Sequence, residues 1–217
     1  MIRRNMPGKP KSTRPYVIKG DRVGFKTLHK DDATAAVPWF QNIELITYLS
    51  GRGRPETVES EQAWFERALK NEEGDLHFAI YLLKGDRYIG GISLFDIKPL
   101  NHATLGVCIG DPAYWNRGYG AEGVRLMVEY GFFFLNLYNI RLGVFEYNER
   151  GRRAYLKAGF REVGRFRGTR LVGGKRYDDV WMDIVRDEVD LSRMRKLVPL
   201  VASTDSQPAR RTGTTPA

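Results

Sequence analysis

Tyr114-Trp-Asn-Arg-Gly-Tyr-Gly-Ala-Glu-Gly123 lies between a strand-like run, Ala103–Ile109, and an amphipathic helical run, Gly123–Leu135. A glycine-rich turn that opens a helix is suited to anions. Glycine lets the backbone come close, and the unpaired N–H groups of the first helical turn point at the ligand. Arg117 stands at the mouth of this turn. The ligand it predicts carries phosphates.

Outward from the turn, the apolar pattern changes period several times. Val17–Leu28 alternates around Gly20-Asp21 and predicts a first strand or hairpin. His29-Lys30-Asp31-Asp32 opens a helix running toward Trp39, Phe40 and Ile43, with acids in its first turn. Thr57–Lys70 is a second helix that Thr57 can cap. His77–Leu83 and Tyr88–Phe95 are strands joined by the turn Lys84-Gly85-Asp86-Arg87, and Ala103–Ile109 is a third, ended by Asp111-Pro112. After the helix from Gly123, Asn139–Tyr147 reads as a strand and Asn148 leads a short helix through Lys157 that stops at Gly159. Phe160–Val172 and Tyr177–Val185 close as strands around Gly173-Gly174. This order predicts an α+β fold with a mixed, mostly antiparallel sheet, not an alternating βαβ wheel.

The 217 residues suit one domain with a real core, and 42% hydrophobic content with 12% aromatics is ordinary for a globular chain. No apolar run reaches the roughly 18 residues a bilayer span needs, and the N-terminus lacks a signal-peptide core. The single cysteine, Cys108, excludes an internal disulfide framework, and no Cys/His cluster has zinc spacing. These features predict a cytoplasmic, metal-free protein with no membrane partner.

The formal charge of +9 suggests nucleic acid until it is located. Residues 1–15 carry +5 and residues 191–217 carry +4, while Tyr16–Asp190 holds 25 basic and 25 acidic residues. The expected organisation is a flexible basic tail at 1–15, a neutral domain at 16–190 and a second flexible tail at 191–217. Nucleic acid is expected only as a weak partner of those tails.

Gly118-Tyr-Gly120-Ala-Glu-Gly123 also matches the G-x-G-x-x-G dinucleotide pattern. Its context argues against that ligand. A dinucleotide turn follows its strand directly, and an acid about 20 residues on holds the ribose. Here Asp111-Pro112 and further residues intervene, and Tyr138 stands at the twentieth position. A loop whose glycines serve only tight packing remains the plain alternative.

A second constellation decides between them: Asn148-Glu-Arg-Gly-Arg-Arg-Ala-Tyr155-Leu-Lys157-Ala-Gly159-Phe160. With the turn, it resembles the Gcn5-related N-acetyltransferase (GNAT) superfamily, whose cofactor motif [Q/R]-x-x-G-x-[G/A] precedes N-x-x-(A/S)-x-x-x-Y-x-K-x-G-F. The resemblance covers about Val17 to Glu188. Trp115 in place of the first Gln/Arg is most similar to the branch of Rim-type ribosomal-protein and spermidine acetyltransferases. Gly151, where Ala or Ser is usual, departs from the pattern.

The resemblance implies a GNAT-like fold with a sheet splayed at the cofactor site, and acetyl-CoA as co-substrate. Arg117, Gly118, Tyr119, Gly120 and Ala121 would hold the pyrophosphate. Backbone groups of Cys108, Ile109 and Gly110 would pair with the pantetheine arm, with Gly110-Asp111-Pro112 marking the splay and an amide there polarising the thioester carbonyl. Tyr155 is the implied proton donor, its reference pKa of about 10 lying above a thiol's roughly 8.5; a packed helix aromatic is the alternative. Asn148 would hold the cofactor arm or a water, or cap the helix. Candidate bases are Glu146, on the strand face shared with Val144 and Asn148, and Glu44 on the acceptor side; each can equally be an ordinary surface carboxylate.

An alkyl amine is about one part in 10³ neutral at pH 7, an α-amine about one in ten. A strong base is thus less necessary for an N-terminal substrate, and the acceptor the resemblance implies is the N-terminal α-amine of a protein, ribosomal in the best-known relatives, attacked directly with no covalent enzyme intermediate. A small amine (polyamine, amino acid or aminoglycoside) and a non-catalytic acyl-CoA-binding module are the alternatives, and a homodimer is a further expectation. His29, His77 and His102 are scattered; Trp39, Phe40, Trp64, Phe65 and Phe132–Phe134 read as core. Cys108 reads as a small buried hydrophobe rather than a nucleophile. Asp178-Asp179 can attract a cationic substrate or simply solvate a hairpin.

Overall fold

The computed structural model describes residues 14–50, 54–70, 74–98 and 101–198. A short hairpin, β1 (Ile18–Lys19) and β2 (Val23–Thr27), leads into helices α1 (Lys30–Phe40), α2 (Ile43–Leu49) and α3 (Val58–Lys70). The strands β3 (Leu76–Leu82), β4 (Arg87–Lys98) and β5 (His102–Ile109) follow as a meander. Helix α4 (Tyr119–Phe134) crosses to β6 (Asn139–Phe145), α5 (Glu149–Lys157) comes next, and β7 (Arg161–Val172) and β8 (Lys175–Val185) form a long hairpin before α6 (Ser192–Leu197).

The eight strands of the described residues lie in one sheet, ordered β1-β2-β3-β4-β5-β6-β8-β7. Every neighbouring pair is antiparallel except β5 and β6, which are parallel because α4 carries the chain back across the sheet. That pair is short. It runs only from His102↔Asn139 to Thr104↔Arg141, yet β5 continues to Ile109 and β6 to Phe145. The sheet therefore splays after Thr104, five residues earlier than the expected place at Gly110-Asp111-Pro112.

Period two sorts the side chains between two layers. Phe25 and Ile80 lie against α4 near Gly123, whose buried face carries Val124, Leu126, Met127, Val128 and Phe132. Tyr81, the next residue after Ile80, donates its hydroxyl to Asp32 of α1 at 2.7 Å. A second apolar cluster of Ala33, Ala36 and Phe65, flanked by Trp39, Trp64 and Tyr88, fills the α1–α3 side.

Four further expectations change. The first helix breaks after Phe40, where Asn42 caps a new one by accepting from Glu44 N–H at 2.9 Å. Helix α4 starts at Tyr119 rather than Gly123, so half of the glycine turn is its first turn. The tail expected from residue 191 is helical over Ser192–Leu197, because Leu191 and Met194 are apolar and fully buried against the core. At the other end, Arg14 lies inside the expected tail but forks onto Asp32 with two contacts of 2.8 Å. Residues 1–13 and 199–217 lie outside the described residues. Among the described residues no helix is long and apolar enough to cross a membrane.

Candidate active site

The splay exposes backbone. Gly110 N–H donates to Ile89 C=O at 2.9 Å, which fixes the alternation of the antiparallel β4–β5 ladder. Cys108 and Gly106 face β4, while Val107 and Ile109 turn their N–H and C=O groups toward the β6 side. The β5–β6 pairing ends at Thr104↔Arg141, and among the described residues no strand meets these groups. Trp115 covers one of these groups, its indole Nε1–H donating to Ile109 C=O at 2.6 Å.

The turn follows directly. Asn116 and Gly118 have left-handed backbones (φ +59° and +81°), and Gly118 caps α4 without a side chain. Glu122 N–H is the first to close onto the helix, at Gly118 C=O (3.1 Å). The N–H groups of Tyr119, Gly120 and Ala121 thus have no helical partner. Beside them lies Arg22, reached from the β1–β2 hairpin. Its Nε donates to Glu122 Oε2 (2.9 Å) and its Nη1 to Arg117 C=O (3.0 Å), and its guanidinium stands 4.9 Å from the Tyr119 ring centroid.

Glu122 is 4% exposed and accepts from the N–H groups of Asp21, Arg22 and Val23 at 2.9, 2.7 and 3.1 Å. Burial alone would raise this carboxyl's pKa. The backbone bonds and Arg22 outweigh burial and hold it below the usual carboxylate range. Hairpin and helix start are locked as one piece.

Helix α5 forms the facing wall. Asn148 Oδ1 accepts from Gly151 N–H (2.9 Å) and its Nδ2 donates to Tyr48 C=O (3.3 Å), so one side chain caps α5 and tethers α2. A Cβ on Gly151 would stand 2.9–3.0 Å from that side chain. The departure from Ala/Ser is the space the cap occupies. Arg150 lies over Trp115, 3.8 Å from the ring centroid, and 5.0 Å from that of Tyr48.

Tyr155 is half-buried in the cleft wall, and desolvation there, with the neighbouring Cys108, pushes its phenol up to about 12. The Cys108 thiol is also pushed up to about 12 by burial and by the charge of Glu61, with Arg150 pulling the other way. Both stay protonated at neutral pH.

Two clefts meet here. The first, of about 300 Å³, runs from the α4 N-terminus along β5 to α5. The second, of about 420 Å³, opens between β4–β5 and the helices α1–α3. Leu49, Val107 and Cys108 line both. In the second cleft Glu61 is 7% exposed and its Oε1 has no hydrogen-bond partner. Burial, then the charge of Glu56, push its carboxyl up to about 7.

The structure brings Cys108, Ile109, Gly118, Tyr119, Gly120, Ala121, Asn148 and Tyr155 together around the first cleft. It does not bring the other candidates there. Arg117 is exposed, with its guanidinium 5.9 Å from the Tyr114 ring centroid. Gly110 is buried and paired; a Cβ there would fall within 1.9 Å of the Trp39 ring. Glu44 is exposed at the start of α2 and lines neither cleft.

Glu146 lies just past the end of β6, so period two does not extend to it. It accepts from Asp178 N–H (3.1 Å) and faces Arg165 at 3.7 Å, away from both clefts. Of Asp178 and Asp179, the first accepts from Gly168 N–H and the second from Arg170, so both serve the β7–β8 hairpin. Sequence reasoning missed Arg22, Arg150 and Glu61. Arg22 meets Glu122 across 100 positions and carries no local signal. Glu61 looks like one more first-turn acid beside Glu59.

Comparison with known proteins identifies the family and the fold. The family model for the acetyltransferase (GNAT) domain matches residues 22–161. The probable N-acetyltransferase YjcK of Bacillus subtilis (strain 168) is 35% identical over 185 residues, covering 82% of this chain and 92% of that protein. An acetyltransferase (GNAT family) from Bacillus anthracis superposes with a TM-score of 0.69 at 21% identity, over 79% of this chain and 99% of that one. A spermidine N-acetyltransferase from Vibrio cholerae, solved with CoA and spermine, gives the same TM-score at 19% identity, over 78% and 98%.

Proposed function

The chain belongs to the GNAT family of N-acetyltransferases, and from that premise we propose that its first cleft holds acetyl-CoA and its second the amine that receives the acetyl group. The observation that carries this reading is the meeting of the two clefts at Val107 and Cys108, where the splay leaves β5 backbone open.

Acetyl-CoA supplies an electrophilic thioester carbonyl on a long amide-bearing, phosphate-bearing arm. The residues present fit such a molecule. The N–H groups of Tyr119, Gly120 and Ala121 suit the pyrophosphate, at the positive end of a 16-residue helix. Arg22, locked beside them by Glu122, adds a fixed positive charge. The N–H and C=O of Val107 suit the amide arm, as a further strand would pair. Arg150, Arg153 and Lys157 line the same cleft and offer cations for a remaining phosphate. The fit replaces Arg117 by Arg22 and Gly110 by Val107.

Tyr155 holds a proton at its Oη on the edge of this cleft. Against a free thiol near 8.5, a phenol at about 12 is a poor donor. A sulfur leaving beside Cys108 feels the same burial that pushes the Cys108 thiol up to about 12. Burial moves donor and recipient in the same direction, which narrows the gap between them.

The acceptor is a primary amine. An N-terminal α-amine demands least of a base, being about one part in ten neutral at pH 7. The test is release of free thiol from acetyl-CoA with peptides, polyamines and aminoglycosides as acceptors. Turnover with at least one amine is expected. Tight CoA binding without turnover of any amine would instead make the chain a non-catalytic acyl-CoA-binding module.

A further inference from the structure

Helix α3 buries two residues one turn apart, Phe65 and Glu61. An acid on an apolar face is costly unless something answers its charge. Among the described residues nothing does. No cation pairs with Glu61, and its Oε1 is buried without a donor. Glu129 Oε2, also unbonded, has Arg193 Nε at 3.6 Å. Among the described residues the charge that acts on Glu61 is that of Glu56, which repels its own. The rest of the cleft is chiefly apolar, with the aromatic rings of Trp39, Trp64, Phe65, Tyr88 and Phe95 among its walls. Aromatic faces and an unanswered carboxylate are what an ammonium group seeks.

We propose that Glu61 takes the proton from the acceptor's ammonium, and that the cleft selects primary amines carrying one positive charge on an aromatic or branched apolar body. The inference rests on the two-cleft reading above. The charges lining the cleft, Glu56 and Glu61 against Arg67, leave room for one cation. A polyamine would bring two or three, with aromatic walls to meet the others. Glu61 and the Val107–Cys108 junction line the same cleft, so an amine relieved of its proton there faces the thioester.

The proton balance closes. The carbon–nitrogen bond forms as the carbon–sulfur bond breaks. Of the ammonium's three protons, one stays on the amide nitrogen and one leaves to solvent through Glu61. The third replaces the proton that Tyr155 gives to the sulfur.

The group set around Glu61 makes its ionisation the readable event. Glu56 comes from the segment before α3, Tyr88 from β4 and Cys108 from β5; the last two are held neutral by burial. Arg67 and His77 line the cleft farther along its wall, His77 Nδ1 lying 2.8 Å from Ser93 Oγ. With Glu61 at about 7, activity rises as pH passes through 7 and the carboxylate loses its proton.

The experiment measures thiol release at saturating acetyl-CoA with L-phenylalaninamide and with spermidine, for the wild type, Glu61→Gln and Glu56→Gln, across pH 5.5–9. Acetyl-CoA binding serves as the check that each variant is folded. Expected are a kcat/KM for phenylalaninamide at least about tenfold above that for spermidine, a kcat about a hundredfold lower in Glu61→Gln with the limb near pH 7 gone, and a modest effect of Glu56→Gln. Turnover that prefers spermidine, or a Glu61→Gln enzyme keeping both kcat and the limb, overturns this inference and leaves the acetyltransferase reading standing. A wild type that binds acetyl-CoA but turns over neither these amines nor any other overturns both.

Discussion

At the scale of single residues, Tyr155 and Asn148 show what a motif does and does not convey. Asn148 was open between cofactor ligand and helix cap, and its two side-chain atoms are engaged as cap and tether. Tyr155 has no such structural employment for its hydroxyl among the described residues. Tyr155→Phe should therefore lower kcat by about ten- to a hundredfold, with little change in the KM for acetyl-CoA or in Tm. Steady-state thiol release together with a melting curve checks this, and an unchanged kcat would reduce Tyr155 to a packed aromatic. The pairing of residues across the fold was not legible. Glu146 and Glu44 are acids at plausible places in sequence, but a turn after Phe145 and the exposed start of α2 carry them away from the site. Glu61 was hidden by the opposite error: helix-dipole chemistry already explains an acid in a first turn.

At the scale of elements, periodicity carried the strand order, the helices and the α+β class, because each signal is local. What failed was set by neighbours. The splay begins where β5 and β6 lose their register, and no residue near Thr104 announces it. Helix α4 gains its first turn because Gly118 takes a left-handed backbone and Glu122 is anchored by the hairpin. The ending of the domain failed in the same way. Residues 191–198 read as a charged tail, yet Leu191 and Met194 face the core between Arg193, Arg195 and Lys196. Ending the chain at Asp190 removes two fully buried side chains, each contributing about 1.5–3 kcal/mol. A Tm lower by roughly 5–15 °C is expected in a thermal melt, and an unchanged Tm would mean that α6 adds nothing to the fold.

At the scale of the whole molecule, the neutral domain between basic ends turns attention from polyanions to the clefts, where single charges decide. Glu61 is the one whose effect reaches the entire fold. Its folded-state pKa of about 7 lies above the unfolded value near 4.3. Between those values the folded chain holds a proton that the unfolded chain has lost, so stability falls as pH rises through that window and levels off above it. The loss is on the order of 4 kcal/mol at most. Glutamine mimics the protonated acid without titrating. The Tm of Glu61→Gln should match the wild type near pH 4 and exceed it by several degrees at pH 8. A gap that does not open with pH would mean the carboxylate is solvated after all. The unanswered oxygen is thus a standing thermodynamic liability that a bound ammonium would relieve: the amine that the protein acetylates should also be the amine that protects it most from heat, and more so in alkaline solution.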